Sequence, residues 1–274
     1  MQFVTANGAH IPALGFGTFR MPDEDVAAIL PLALKTGFRH VDTAQIYGNE
    51  AAVGDVLAAS GIPRGDIFLT TKVWVDRFAR QDMGPSVDES LRKLKTDHVD
   101  LLLLHWPKSP VSLAEQIEGL NALVDAGKVR HIGVSNYNCA LMGEAVRLSK
   151  APIVTNQIEY HPYLDQTAVL SAARSYGMSV TAYYAMADGR VPKEDLLQDI
   201  GARHGKTAAQ VTLRWLIQQQ GVIALSKTAT ESRIAENFAV FDFSLDAEEM
   251  TAISALARPD GRIVSPGHLA PDWD

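Results

Sequence analysis

The sequence predicts an α/β fold, a (β/α)8 TIM barrel with an N-terminal β-hairpin and an extra C-terminal helix. Short apolar segments recur eight times: Ala13 to Thr18, Phe38 to Ala44, Ile67 to Trp74, Val99 to Trp106, His131 to Asn136, Ile153 to Glu159, Val180 to Ala185 and Val222 to Thr228. Stretches of helical period separate them, and strands alternating with helices imply parallel strands joined by right-handed crossovers. The length of 274 residues is close to the roughly 250 of one such barrel. A doubly wound open sheet is the second choice. No low-complexity linker marks a boundary, so residues 1–274 are expected to form a single domain.

The elements can be justified in order. QFVTANGAHIPAL holds two short runs around Asn7-Gly8, a dipeptide that accepts the positive φ angles of a tight hairpin turn. SLAEQIEGLNALVDAGK puts Leu113, Ile117, Leu120 and Val124 on one helical face, with Ser112 and Glu115 spaced as a capping box and Gly127 as the stop. VDESLRKL and TAVLSAARSYG share that period. SLDAEEMTAISAL, after the eighth strand, reads as the extra helix, with Asp246 and Glu249 as its cap pair.

Composition narrows the function. The net charge is -7 and no dense Lys/Arg run occurs, which argues against nucleic acid or an acidic membrane surface as a partner. One cysteine, Cys139, excludes an intramolecular disulfide framework and a cysteine-based zinc cluster, and no metal site is expected. The N-terminus lacks the pattern of a signal peptide, and no apolar run reaches the roughly 18 residues of a membrane span. A cytoplasmic monomer acting on a small molecule is the expectation.

In a (β/α)8 barrel the chemistry sits where strands end and the loops to the helices begin. The second strand end carries Asp42 and, just beyond, Tyr47; the third carries Lys72 and Trp74; the fourth carries His105 and Trp106. Side chains alternate along a strand, so His105 shares a face with Leu101 and Leu103, Lys72 with Thr70, and Asp42 with His40. Singly, these residues also read as a surface lysine, a core histidine and a helix cap. Together they bring three ionisable groups and a phenol to one rim.

The ordered motifs LGFGTFR, VDTAQIYGNE, TTKVW, LLHWP, GVSN, TNQIEYHPYL and SKTATESRIAEN span nearly the whole chain, which resembles the aldo-keto reductase superfamily. The tail RIVSPGHLAPDWD resembles the bacterial branch that reduces 2,5-diketo-D-gluconate and relatives active on methylglyoxal and other small dicarbonyls. The resemblance implies a catalytic tetrad of Asp42, Tyr47, Lys72 and His105. Reducing a carbonyl needs a hydride at carbon and a proton at oxygen, and no side chain supplies a hydride, so a nicotinamide cofactor must. Tyr47 can give the proton; Lys72 would stabilise the phenolate, Asp42 would hold Lys72 charged, and a neutral His105 would orient the carbonyl.

The resemblance also implies NADPH as cofactor. Ser135, Asn136 and Gln157 match residues that bind the nicotinamide carboxamide, Tyr183 matches the aromatic that stacks on the ring with Thr18 beside it, and Asp42 borders the same site. Lys227, Thr228 and Arg233 match the 2′-phosphate site, and Glu236 and Asn237 match contacts to adenine. Phe19, Tyr47, Trp74, His105 and Trp106, with the tail near Leu269, would wall the substrate pocket. No GxGxxG is present, so the cofactor site is not of the Rossmann type. Ala182-Tyr183-Tyr184-Ala185-Met186 departs from the family's AYSPL, and Leu225-Ser226-Lys227-Thr228 from IPKS. Two other classes fit parts of the pattern: a Schiff-base lyase with Lys72 as nucleophile, and a non-catalytic NADPH-binding subunit.

Overall fold

The computed structural model describes residues 1–274. Strands β1 (Phe3–Ala6) and β2 (Ala9–Pro12) precede β3 (Leu14–Gly17), α1 (Asp23–Thr36), β4 (His40–Asp42), α2 (Glu50–Ala59), β5 (Phe68–Val73) and α3 (Arg80–Leu94). Next come β6 (Val99–Leu104), α4 (Leu113–Asp125), β7 (Val129–Ser135), α5 (Cys139–Leu148), β8 (Ile153–Glu159) and α6 (Thr167–Ser175). The chain finishes with β9 (Ser179–Tyr183), α7 (Asp195–His204), α8 (Ala208–Gln218), β10 (Val222–Ser226), α9 (Ser232–Phe238) and α10 (Ala247–Ser254).

Strands β3 to β10 close into a barrel in which every neighbour pair is parallel, as the alternation of strands and helices predicts. β1 and β2 form the separate antiparallel hairpin. Asn7 and Gly8 both have positive φ, at 45° and 88°, the backbone that a two-residue turn matched to strand twist requires. The Asn7 side chain then donates to the carbonyls of Ile153 and Tyr176, fastening the hairpin to the barrel.

Alternation along the strands sorts the core. Leu102 and Leu104 face the helices and join the large apolar layer between barrel and helix ring. Leu101 and Leu103 face inward, where with Phe68, Val154 and Ile223 they meet Ala9 and Ile11 of the hairpin. The hairpin therefore seals the end of the barrel at which the strands begin. Full burial of each such leucine contributes about 1.5–3 kcal/mol relative to exposure. The opposite end, where the strands stop, is left to polar side chains.

Local differences from the sequence expectations have physical causes. Ser112 caps α4 by accepting from the Glu115 N–H, but the Glu115 carboxylate accepts from the Arg80 N–H at the start of α3 instead of closing the box. The Asp246–Glu249 box is complete. Two helices, α7 and α8, fill the stretch before the last strand, and α8 opens with a reciprocal Thr207–Gln210 box that the sequence reading passed over. The strands ending at Gly17, Asp42, Val73 and Leu104 stop one or two residues short of the expected ends, although the N–H groups of Thr18, Thr43 and His105 still bond to the neighbouring strand.

Candidate active site

The rim is organised by one ammonium. Lys72, on β5, is fully buried, and its Nζ donates to Asp42 Oδ1 at 2.6 Å, to the Thr43 carbonyl at 2.9 Å and to the Tyr47 hydroxyl at 3.1 Å. An ammonium has three N–H bonds, and all are used. β4 delivers Asp42 at its last position, and a short 3-10 turn over Gln45–Tyr47 carries the phenol back above Lys72. Strand pairing holds β4 beside β5, with Asp42 opposite Thr70. The Asp42 Oδ2 accepts from Gln157 Nε2 at 2.8 Å, so β8 reaches across to the same carboxylate.

His105 follows β6, its N–H still bonded to the Val73 carbonyl at 3.2 Å. Its ring meets Tyr47 edge-on at 5.6 Å between centroids and Trp74 at 5.1 Å. Its Nδ1 is buried with no partner in the protein. Phe19 lies 5.0 Å from the Tyr47 ring and is substantially exposed, forming an outer edge. Trp106, Leu269 and Ala270 form a small apolar cluster flanked by Trp74, Val264 and Trp273, so the C-terminal tail supplies one wall.

Electrostatics assign the protonation states. Burial, the largest influence on Lys72, works against its charge, but Asp42 and Tyr47 together outweigh it and raise its pKa above the ordinary value. Burial, helped by the Lys72 cation, pushes His105 well below the usual imidazole range, so the ring is neutral at neutral pH. For Tyr47, burial raises the pKa and exceeds the downward pull of Lys72. Lys72 acts in the expected direction, towards the phenolate, but burial outweighs it, so Tyr47 is protonated at neutral pH.

The remaining residues singled out in the sequence fall into two groups. On the rim, Ser135 donates to the Gln157 carbonyl, Asn136 Nδ2 donates to the His105 carbonyl and to Ser135 Oγ, and the Tyr183 hydroxyl donates to Asn136 Oδ1 at 2.6 Å. Asn136 sits at φ 63°, a left-handed conformation that Asn tolerates better than most residues. Thr18 is buried, its hydroxyl against the Asp42 carbonyl and Asn49 Oδ1. Farther along, beyond β10, Lys227 and Arg233 are exposed and no carboxylate lies within ion-pair distance of either. The Thr228 hydroxyl accepts from the Thr230 N–H, Asn237 donates to Ser226 Oγ, and Glu236 accepts from the Thr207 hydroxyl.

Sequence reading missed several residues that set this geometry. Asn49 is buried and donates to the Thr18 and Met21 carbonyls while accepting from the Thr43 hydroxyl, tying the β3 and β4 loops together. Gln45 accepts from the Trp74 N–H, coupling the loop that carries Tyr47 to the pocket wall. Glu159 accepts from His161 Nε2 and from the N–H groups of Ile263 and Val264, pinning the tail to the end of β8. The QIYGNE and NQIEYH stretches contain these residues, but a polar side chain that bonds to backbone has no spacing signature.

Residues 13–258 match the model of the Aldo/keto reductase family. The chain belongs to that family. It is 44% identical to methylglyoxal reductase DkgB of Salmonella typhimurium over 96% of this chain and 99% of that one. It is 42% identical to the protein of the same name from Escherichia coli O157:H7, with the same coverage. A crystal structure provisionally named 2,5-diketo-D-gluconic acid reductase B superposes with a TM-score of 0.99 at 68% identity, covering 100% of this chain and 98% of that one. An aldo/keto reductase from Brucella melitensis gives a TM-score of 0.87 at 38% identity, with 93% and 99% covered. Family membership makes the chain an oxidoreductase with the (β/α)8 fold that its sequence predicts.

Proposed function

We propose that this aldo/keto reductase reduces small aldehydes and ketones to alcohols with NADPH, Tyr47 being the proton donor. The observation that carries the reading is the Lys72 ammonium, bonded at once to Asp42 and to the Tyr47 hydroxyl, with neutral His105 beside the same phenol. A carbonyl oxygen between Tyr47 and His105 accepts a hydrogen bond from each. As negative charge grows on that oxygen, Tyr47 passes its proton across, and Lys72 meets the nascent phenolate with a bond that already exists. Asp42 keeps the ammonium charged throughout, and Gln157 keeps Asp42 in place.

The nicotinamide cofactor, when bound, supplies the hydride. The donor set fits it. Tyr183 offers an aromatic face, and Ser135, Asn136 and Gln157 cluster polar groups around it, as a ring bearing a carboxamide requires. Lys227, Thr228 and Arg233 give a polyanion two unpaired cations and a hydroxyl, suited to a 2′-phosphate. Glu236 and Asn237 stand on the adjoining α9, where an adenine would be met. Phe19, Trp74, Trp106 and the tail at Leu269 would enclose the reacting carbonyl. Methylglyoxal and 2,5-diketo-D-gluconate, named for the relatives, are the first substrates to try.

The same reading takes residues 1–274 as one domain, a cytoplasmic monomer. A Schiff-base lyase needs a neutral lysine nucleophile, and an ammonium with its three N–H bonds committed is a poor one. The test is loss of absorbance at 340 nm with NADPH and a carbonyl panel including those two compounds. Steady oxidation of NADPH supports the reading. Tight NADPH binding without oxidation by any carbonyl contradicts it and leaves a binding subunit.

A further inference from the structure

The turn that carries Tyr47 is loosely packed on its outer side. Ile46 is 51% exposed, and a cavity of about 230 Å³ opens behind the turn, lined by Gln45, Ile46, Glu50, Trp74, Ser86 and Ser90 among others. On that side the turn is held by hydrogen bonds. Gln45 Nε2 donates to the carbonyl and hydroxyl of Ser86 and to Ser90 Oγ, while its Oε1 accepts from the Trp74 N–H. Asn49 binds the loops after β3 and β4. Neither side chain bonds to a residue of β5, the strand of Lys72.

Glu50 does. It opens α2 three residues after Tyr47 and is only 2% exposed. Its Oε1 accepts from the Thr71 hydroxyl at 2.7 Å, and its Oε2 accepts from the Ser90 hydroxyl at 3.2 Å. Thr71 precedes Lys72 on β5, where alternation turns Thr71 toward the helices and Lys72 into the barrel. The helix cannot slide to relax these bonds: a Cβ at Gly54 would overlap the Lys93 carbonyl, so α2 and the end of α3 meet backbone to backbone. The carboxyl group takes part in no ion pair. Burial raises its pKa, and the Thr71 and Ser90 hydroxyls pull the other way. A group this unfavourable to bury is offset by the bonds it makes.

We propose that Glu50 is a positioning residue whose bond to Thr71 sets the spacing of Lys72 from Tyr47, and with it the rate of proton transfer. This rests on the reading of Tyr47 as the proton donor. The span is short. Only Gly48 and Asn49 separate Tyr47 from Glu50, and Thr71 adjoins Lys72, so movement at the Glu50–Thr71 contact is passed to the 3.1 Å bond between Lys72 and the phenol. A helix-start role is the competing explanation, since an acidic residue in the first turn of α2 favours the helix by itself. That role needs the charge and not Thr71; the tether needs Thr71 and not the charge.

Three variants separate the two: Glu50→Met, Glu50→Gln and Thr71→Val, the last keeping the side-chain shape without the hydroxyl. With NADPH and the best carbonyl found, at a temperature where all are folded, the single-turnover rate should fall about 10- to 100-fold in Glu50→Met and Thr71→Val. It should stay within about 3-fold of wild type in Glu50→Gln, which keeps an acceptor for Thr71. The dissociation constant for NADPH should hold in all three. Thr71→Val at the wild-type rate, or Glu50→Gln as slow as Glu50→Met, overturns the proposal and leaves the helix-start role. Should Glu50→Met fail to fold, the other two variants decide. The spacing is read without turnover by NMR of protein labelled at tyrosine Cζ, with Tyr47→Phe identifying the Tyr47 signal among the seven tyrosines. That signal senses the bond from Lys72, so it should move in Glu50→Met and Thr71→Val and return in Glu50→Gln. A signal unmoved in all three overturns the tether. If wild type reduces no carbonyl yet the signal follows this pattern, the reductase reading fails and the tether stands.

Discussion

The two ends of the barrel each bury a carboxylate against basic side chains, two arginines at one end and one lysine at the other. At the hairpin end, Asp100 Oδ2 takes Arg64 at 2.8 Å and the Leu69 N–H at 2.9 Å, and Oδ1 takes Arg130 at 2.8 Å. Arg64 spends its other donors on Thr96, the Ile67 carbonyl and the His98 carbonyl. At the rim, Asp42 and Lys72 are tied to each other, but the groups beside them have capacity to spare: the Tyr47 hydroxyl and the unpartnered Nδ1 of His105. The closed network holds structure, and the open one can accept a ligand. In barrels of this kind, strand-start residues commonly serve stability and strand-end residues serve chemistry.

The comparison can be pressed hardest at Lys72. Lys72→Met leaves the Asp42 carboxylate buried with only Gln157 for company, which costs about 3–5 kcal/mol, and turnover should fall at least about 100-fold. Adding Asp42→Asn removes the stranded charge and should restore most of the melting temperature without restoring turnover. If the double variant melts as low as the single one, Lys72 serves packing more than charge. Borohydride with enzyme and substrate should trap no adduct on Lys72.

Next in size is Arg233, a cation with no partner in the protein. Arg233→Ala should weaken NADPH by about 10- to 150-fold, the worth of one charge-assisted bond, and leave NADH nearly unchanged. Tryptophan fluorescence quenching measures both constants. Equal weakening of the two cofactors assigns Arg233 to structure.

Asp100 gives the smallest effect and the opposite signature. Asp100→Ala leaves the buried Leu69 N–H and two guanidinium groups short of an acceptor, so unfolding in urea should show a loss of about 1–3 kcal/mol. Turnover should stay within about 2-fold at a temperature where both proteins are folded. A large drop in turnover would tie the hairpin end to the chemistry and erase the distinction.

The sequence made the barrel legible because its signals are periodic. Eight apolar runs of strand length, Asn7-Gly8, and the Asp246–Glu249 box each follow from backbone geometry that only certain residues satisfy. The four rim residues were legible for the same reason: strand alternation put Asp42, Lys72 and His105 on one face, and Tyr47 lay just beyond. Of the two helices before β10, α7 was less visible, since it begins after a loop with Asp188 in a left-handed conformation and carries no side-chain cap, whereas α8 does carry the readable Thr207–Gln210 box. Asn49 and Glu159 were invisible for a deeper reason. Their importance lies in which bonds they make or leave unmade with distant backbone, and that is decided only when the chain has closed.

The central claim is that Tyr47 is the proton donor at a site assembled by Lys72, and Tyr47→Phe tests it most directly. The substitution removes one hydroxyl and keeps the ring between Phe19 and His105. With NADPH and the best carbonyl found, the single-turnover rate should fall at least about 100-fold, while NADPH affinity and melting temperature stay near those of wild type. A variant that reduces the same carbonyl at close to the wild-type rate would contradict the claim, and the proton would have to come from elsewhere on the rim.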